Sequence, residues 1–238
     1  MQEAIFRIQR FDPEVDKAPR FQEYKLQCEK GTTVLTALYM LLDRQDGSLA
    51  FRSSCRAGIC GSCAMHINGK YRLACETQVF ALSQPITIQP LSNLPVIKDL
   101  IVDMSSFWKK YKYVQPYLQP GVPAPEKELP QTNDQRERLG NTIDCILCGA
   151  CSASCPMSFT DTKYLGPAAL LKAWRFVADS RDDSVETRLS LVDGLDGVWR
   201  CHTAFNCQTA CPKDLDPTSG IAFLKREIMK RKFCGKKK

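Results

Sequence analysis

Cysteine placement constrains this chain more than any other feature. Thirteen cysteines occur in 238 residues, and eleven of them fall into two spaced sets. The first set is Cys55-x4-Cys60-x2-Cys63, followed by Cys75. The second is Cys145-x2-Cys148-x2-Cys151-x3-Cys155-Pro156, answered by Cys201, Cys207, Cys211 and Pro212. Thiolates at such short spacing oblige the backbone between them to wrap around whatever they bind. They can hold iron, and iron clusters in a row pass single electrons, so the chain reads as an electron conduit.

A disulfide scaffold fits poorly. Such scaffolds are short and secreted, whereas this sequence opens with Met1 and a strand-like run from Ile5 to Phe11, with no signal or transit segment expected. A reducing setting suits clustered cysteines that do metal or redox work. The hydrophobic share, 44%, is enough for packed cores, and the length suggests about one or two domains. No run approaches the roughly 18–20 apolar residues that a membrane span needs. Net charge is +7, concentrated at Lys225, Arg226, Lys230, Arg231, Lys232 and Lys236–Lys238. An anionic membrane surface or acidic partner would attract this end, and a solvated helix would equally account for it. No groove-reading motif accompanies the charge, so nucleic acid is not an expected partner.

Residues 4–11 and 21–28 alternate apolar and polar positions, which predicts two neighbouring strands. Residues 32–44 carry Val34, Leu35, Leu38, Leu41 and Leu42 at helical spacing, with Thr32 or Thr33 as N-cap. After the Ser- and Gly-rich loop to Cys63, a hairpin is predicted from Ala64–Ile67 and Tyr71–Ala74 around Asn68-Gly69. A last strand is predicted over Ile86–Gln89. From about Lys98 the pattern reads as helical, through Leu100, Ile101, Met104, Phe107 and Trp108. Five prolines mark 115–132 as an irregular connector, and helices are expected at 133–143, 166–180, 183–193 and 217–232. The fold class is therefore α+β, with a sheet domain over 1–103 and an all-α domain over 104–238.

Three close cysteines on one loop and a fourth from elsewhere is the plant-type arrangement around a 2Fe–2S cluster. Cys55, Cys60, Cys63 and Cys75 fit it, and Gly58 and Gly61 let the loop wrap tightly with N–H groups aimed at sulfur. Zinc is the competing reading, but zinc prefers paired C-x2-C knuckles. The second set follows the two-cluster rule, in which the fourth cysteine of each run serves the other cluster. Cys145, Cys148 and Cys151 then join Cys211 around a 4Fe–4S cluster. Cys155 joins only Cys201 and Cys207, because Ala204 stands where the missing cysteine is expected. A 3Fe–4S cluster with a vacant corner follows, or else a full cubane with water on its fourth iron. Cys28 reads as a small buried residue and Cys234 as a free thiol.

The chain resembles the iron–sulfur subunits of succinate dehydrogenase and fumarate reductase, respiratory complex II. The motifs are Arg10-Phe11-Asp12-Pro13-Glu14, Ser54-Cys55-Arg56-Ala57-Gly58-Ile59-Cys60-Gly61-Ser62-Cys63, Leu94-Pro95, Asp99–Met104, Gly166-Pro167-Ala168, Asp179-Ser180-Arg181-Asp182 and Arg200-Cys201-His202. The resemblance implies a β-grasp ferredoxin domain followed by a helical two-cluster domain. It also implies a flavoprotein partner with FAD, a membrane anchor, and a peripheral place on the cytoplasmic side of the membrane. Electrons from FAD would pass the 2Fe–2S, 4Fe–4S and 3Fe–4S clusters to quinone. Pro156, Ser158, His202 and Ala204 match the family's quinone pocket, and His202 suits proton delivery to quinone because histidine changes charge near neutral pH. The segment Met157–Asp161 lacks the tryptophans of ubiquinone-reducing relatives, which leaves ubiquinone and menaquinone both open. The chain has no dinucleotide fingerprint of its own. Alternatives are a fumarate reductase running in reverse or a subunit of another flavin-linked reductase.

Overall fold

The computed structural model describes residues 1–121 and 126–233. In chain order the elements are β1 (Gln2–Arg10), β2 (Arg20–Cys28), α1 (Val34–Arg44), β3 (Ala64–Ile67), β4 (Lys70–Leu73), β5 (Ile86–Gln89), β6 (Val96–Lys98) and β7 (Ile101–Val102). They continue with α2 (Ser105–Tyr113), α3 (Asn133–Glu137), α4 (Ala150–Ala153), α5 (Pro156–Thr160), α6 (Gly166–Val177), α7 (Val185–Val192), α8 (Asn206–Thr209) and α9 (Pro217–Phe233). The chain divides into two compact units. The first takes Met1–Met104 together with Ile146–Ser154 and Ala210–Pro212, and the second takes the remainder.

The first unit is a mixed five-stranded sheet in the order β2-β1-β5-β3-β4. β1 pairs antiparallel with β2, Phe6 opposite Tyr24, and parallel with β5, Phe6 opposite Ile86. Alternation places Ala4, Phe6 and Ile8 in the core with Ile67, Ile86 and Ile88, while Arg7 faces solvent. α1 starts where the Thr33 hydroxyl accepts from Thr36 N–H, 3.1 Å, and it buries Val34, Leu35, Ala37, Leu38 and Leu41. Its first turn is fixed to the segment before the last strands, because Val34 N–H donates to Thr77 O and Leu35 N–H to Ala74 O.

Arg10, the last residue of β1, is buried and would be costly without partners. Its Nε donates to Asp99 at 2.9 Å, and its other nitrogens reach Tyr24, Asp46 and Ser48. Asp99 also accepts from the Phe11 and Ala50 backbones at 3.0 and 2.9 Å. The pair thereby fixes the segment that leads from α1 into the cysteine loop. Asp99 has φ +47 and turns the chain between β6 and β7. Ile101–Val102 is therefore strand, with Leu100 in the turn, and not helix as the apolar spacing suggests. The helix starts at Ser105, and the two patterns run together because the hairpin is so short.

The second unit is helical, around Val114, Tyr164, Leu170, Leu189, Val198, Ile221 and Leu224. α6 and α9 approach closely at Gly220, where a Cβ would meet Leu171 at 3.2 Å, and Trp174 stacks on Phe223 at 4.8 Å. Arg188 of α7, wholly buried, donates to both oxygens of Asp182 and to the carbonyls of Gln115 and Tyr117. It thereby clamps the start of the proline-rich connector; Pro123 and Pro125 fall outside the described residues. The helix expected over 133–143 is shorter, Asn133–Glu137, and Gly140 at φ +52 lies beyond its end. The single-turn helices α4, α5 and α8 carry too few residues to show a period. Cys28 is buried as expected, and burial pushes its thiol pKa up. Cys234 lies outside the described residues. Among those residues no helix is long and apolar enough to cross a membrane.

Candidate metal centres

Cys55, Cys60, Cys63 and Cys75 all belong to the first unit. Arg56, Gly58 and Gly61 adopt positive φ of +56°, +67° and +71°, which curls the loop around its own sulfurs. Cys55 Sγ accepts from Ala57 N–H at 3.4 Å, Ile59 N–H at 3.4 Å and Cys60 N–H at 3.2 Å. Cys55 N–H in turn points at Cys60 Sγ, 3.5 Å. Burial opposes ionisation of Cys60, yet the Ser62 hydroxyl and the N–H groups of Cys55 and Ser62 bring its pKa down to about 6. Cys63 immediately precedes β3 and Cys75 follows β4, and Ala74 N–H donates to Cys63 O at 3.1 Å. Burial, then the neighbouring Cys75 and Cys60 thiols, push the Cys63 pKa up to about 12. The four sulfurs thus occupy one pocket of backbone donors. An open cleft of about 550 Å³ lined by Tyr39, Phe51, Arg52, Ser53 and Ser62 adjoins the loop.

Both loop glycines have neighbours that the sequence does not announce. A Cβ on Gly58 would meet the Glu76 carboxylate at 2.0 Å, and one on Gly61 would meet Cys148 Cα at 2.8 Å and Ile146 O at 2.9 Å.

Cys148, Cys151 and Cys211 also fall in the first unit, carried by Ile146–Ser154 and Ala210–Pro212. Leu147 and Gly149 take φ of +55° and +84°, again curling backbone around cysteine. The Ala153 carbonyl accepts from Tyr71 Oη at 3.1 Å and from Asn93 Nδ2 at 2.8 Å, which fixes this segment to the sheet unit. Cys145 belongs to the second unit.

Cys155, Cys201 and Cys207 lie in the second unit, and a small apolar cavity is lined by all three together with Pro156, His202 and Ala204. Ala204 sits between Thr203 and Phe205, both near φ +60 (+59° and +60°), so the loop turns back on itself at that residue. Ser158 is one turn along α5 and does not line the cavity; its buried hydroxyl has no hydrogen-bond partner among the described residues. Tyr164 lies on the cavity wall. Burial raises its phenol pKa strongly, and the thiols of Cys201, Cys155 and Cys207 raise it further. Burial likewise raises the Cys207 pKa, against a hydrogen bond with Thr218. Sequence reasoning missed Tyr164; a lone aromatic beside Gly166-Pro167 gives no periodic signal.

The division of cysteines between units is the informative geometry. Cys148, Cys151 and Cys211 fall in the first unit, and Cys155, Cys201 and Cys207 fall in the second together with Cys145, so Cys211 is parted from its own run's Cys201 and Cys207. Among the described residues no three His, Cys, Asp or Glu side chains form a group that could hold a single metal ion. Thiolates around a cluster are shared out over two or more irons, so a cluster's ligands need not converge on one point as those of a single zinc do. The all-sulfur donor set, with N–H groups aimed at sulfur, fits iron–sulfur clusters.

Comparison with known proteins agrees with this chemistry. Residues 5–109 match the model of a 2Fe-2S iron-sulfur cluster binding domain, and residues 141–215 that of a 4Fe-4S dicluster domain. The chain is 41% identical to the succinate dehydrogenase iron-sulfur subunit of Paracoccus denitrificans over 228 residues, covering 95% of this chain and 88% of that protein. It is 45% identical to the mitochondrial succinate dehydrogenase [ubiquinone] iron-sulfur subunit 1 of Oryza sativa subsp. japonica, covering 93% and 80%. This chain belongs to the family of succinate dehydrogenase iron–sulfur subunits. A solved structure of the Mycobacterium smegmatis Sdh1 complex in the apo form contains a chain with TM-score 0.86 and 25% identity, covering 97% of each. The α+β plan of a 2Fe–2S domain followed by a helical dicluster domain is thus the fold of the succinate dehydrogenase iron–sulfur subunits.

Proposed function

We propose the following assignment within an electron-transfer subunit of succinate dehydrogenase. Cys55, Cys60, Cys63 and Cys75 hold a 2Fe–2S cluster. Cys148, Cys151 and Cys211, with Cys145 from the same C-x2-C-x2-C run, hold a 4Fe–4S cluster. Cys155, Cys201 and Cys207 hold a 3Fe–4S cluster whose open corner faces Ala204. Bound clusters supply one-electron carriers; everything else in the transfer is the work of the chain. The N–H groups of Ala57, Ile59 and Cys60 stabilise negative charge on sulfur. The wall around Cys155, Cys201 and Cys207 is mostly apolar, with the exposed loop of residues 202–206 along one side.

In this reading electrons enter from FAD on a flavoprotein subunit, which the open cleft beside the first loop would face. They leave to a quinone held with a membrane anchor at the cytoplasmic face. Pro156, His202 and Ala204 border the exit, the orphaned Ser158 hydroxyl offers a hydrogen bond, and exposed His202 is placed to deliver protons. Membership of the succinate dehydrogenase family favours succinate oxidation over the fumarate reductase alternative. The observation that carries the reading is the cavity lined by Cys155, Cys201, Cys207 and Ala204, with Cys211 placed apart from them in the first unit. Iron analysis and spin-resonance spectra of the purified complex test it. About nine irons per chain are expected, with the signal of an oxidised three-iron centre. About ten irons and no such signal would replace the vacant corner by a full cubane, and a colourless zinc protein would end the reading.

A further inference from the structure

Gly61 is bonded directly to Cys60, and its Cα faces Cys148. Both residues lie in the first unit. The approach is so close that a Cβ on Gly61 would sit 2.8 Å from Cys148 Cα, 2.8 Å from Cys148 Cβ and 2.9 Å from Ile146 O. Real Cβ atoms do not come so near to backbone, and Gly61 also holds φ +71, where side chains are strained. Two independent constraints therefore select glycine at a residue adjoining one cysteine of the first set and touching one of the second. Two more contacts fix the far side: Tyr71 and Asn93 both donate to Ala153 O, at the end of the segment that carries Cys148 and Cys151.

Electron transfer weakens steeply as the gap between carriers widens, and bonded atoms carry it better than empty space. From Cys60 Sγ the bonded path runs through the Cys60 backbone to Gly61 Cα. One van der Waals contact then reaches Cys148, whose own Cβ leads to Sγ. We propose that this contact is where electrons cross from the first cluster to the second, and that Gly61 is a positioning residue whose missing side chain sets the gap. One electron leaves the carrier held by Cys60 and enters the carrier held by Cys148, with no proton moved and no bond made or broken. The inference rests on the cluster assignment proposed above.

The test uses the whole complex, reduced with dithionite for spectroscopy and with succinate for kinetics. Gly61→Ala strains the cysteine loop itself, so it is read only in preparations where both cluster signals are present. The magnetic interaction between the two reduced clusters, read as faster spin relaxation of the 2Fe–2S signal, should weaken. Passage of electrons beyond the first cluster should slow several-fold, while dye reduction at the flavin holds. Unchanged relaxation and rate with both clusters present would overturn the proposal. Should Gly61→Ala fail to assemble its first cluster, the double variant Tyr71→Phe, Asn93→Ala decides. It frees Ala153 without touching either cysteine loop and should weaken the same interaction to a smaller degree; no change there overturns the proposal as well. Absence of the 2Fe–2S or 4Fe–4S signal from the unaltered complex would instead sink the cluster assignment, a distinguishable result.

Discussion

The Cys207 sulfur lies 3.3 Å from the Thr218 hydroxyl, at the start of the long helix α9. Cys207 is thus tied into the second unit, whereas Cys211, only four residues on, belongs to the first. Replacing each by serine should separate two clusters that the sequence places side by side. Cys207→Ser should remove the three-iron signal and spare the four-iron one. Cys211→Ser should do the reverse. Spin-resonance spectra of the two variants check this, and exchanged losses would refute the ligand sets.

Ala204 lines the three-thiol cavity on a loop held by two left-handed neighbours. Ala204→Cys should supply the absent fourth thiolate. The expected outcome is a four-iron cluster, a lower midpoint potential at that centre and slower quinone reduction. A redox titration followed by spin resonance measures it. An unaltered three-iron spectrum would show that residue 204 does not reach the open corner.

His202 is exposed on the same loop, directly after Cys201. His202→Ala should leave the three cluster signals and dye reduction at the flavin intact. Quinone reduction should fall by about 10–100-fold, the scale of a general-acid contribution. Loss of the three-iron signal would assign His202 to holding the loop, and full quinone activity would remove it from the reaction.

Arg188 and Asp182 form a wholly buried, bidentate pair, at 3.0 and 2.7 Å. Arg188→Ala leaves a buried carboxylate unpaired and the carbonyls of Gln115 and Tyr117 without their donor. The second unit should lose about 3–5 kcal/mol. Denaturant unfolding of the assembled protein reads the loss. A drop below about 1 kcal/mol, the scale of an exposed pair, would show that the clamp is dispensable.

Much of the site was legible because metal spacing is written locally. The cysteine runs and Ala204 concern short stretches whose ligand chemistry permits few alternatives. The strand alternation through Phe6 and Ile8 and the cap at Thr33 were equally local. What sequence did not reveal depends on contacts between distant residues. Gly61 reads as a loop glycine, yet its neighbour is Cys148, which no period or motif connects to it. Tyr164 gains its place only once Cys155, Cys201 and Cys207 come together. The Arg10–Asp99 pair joins residues far apart in the sequence, and beyond the turn at Asp99 the strand Ile101–Val102 had the apolar spacing of a helix.

The first unit is discontinuous along the chain, and this gives its assembly a schedule. A ribosome must have reached Pro212 before the last stretch of that unit exists. Until then the sheet can form, but Tyr71 and Asn93 have no Ala153 carbonyl to meet when Ile146–Ser154 is still missing, and Gly61 has no Cys148 beside it. A product cut after Met104 would expose those groups to water and lack two of the three stretches. Completion of the first unit therefore waits on residues made more than a hundred positions after its sheet, although most of its residues emerge first.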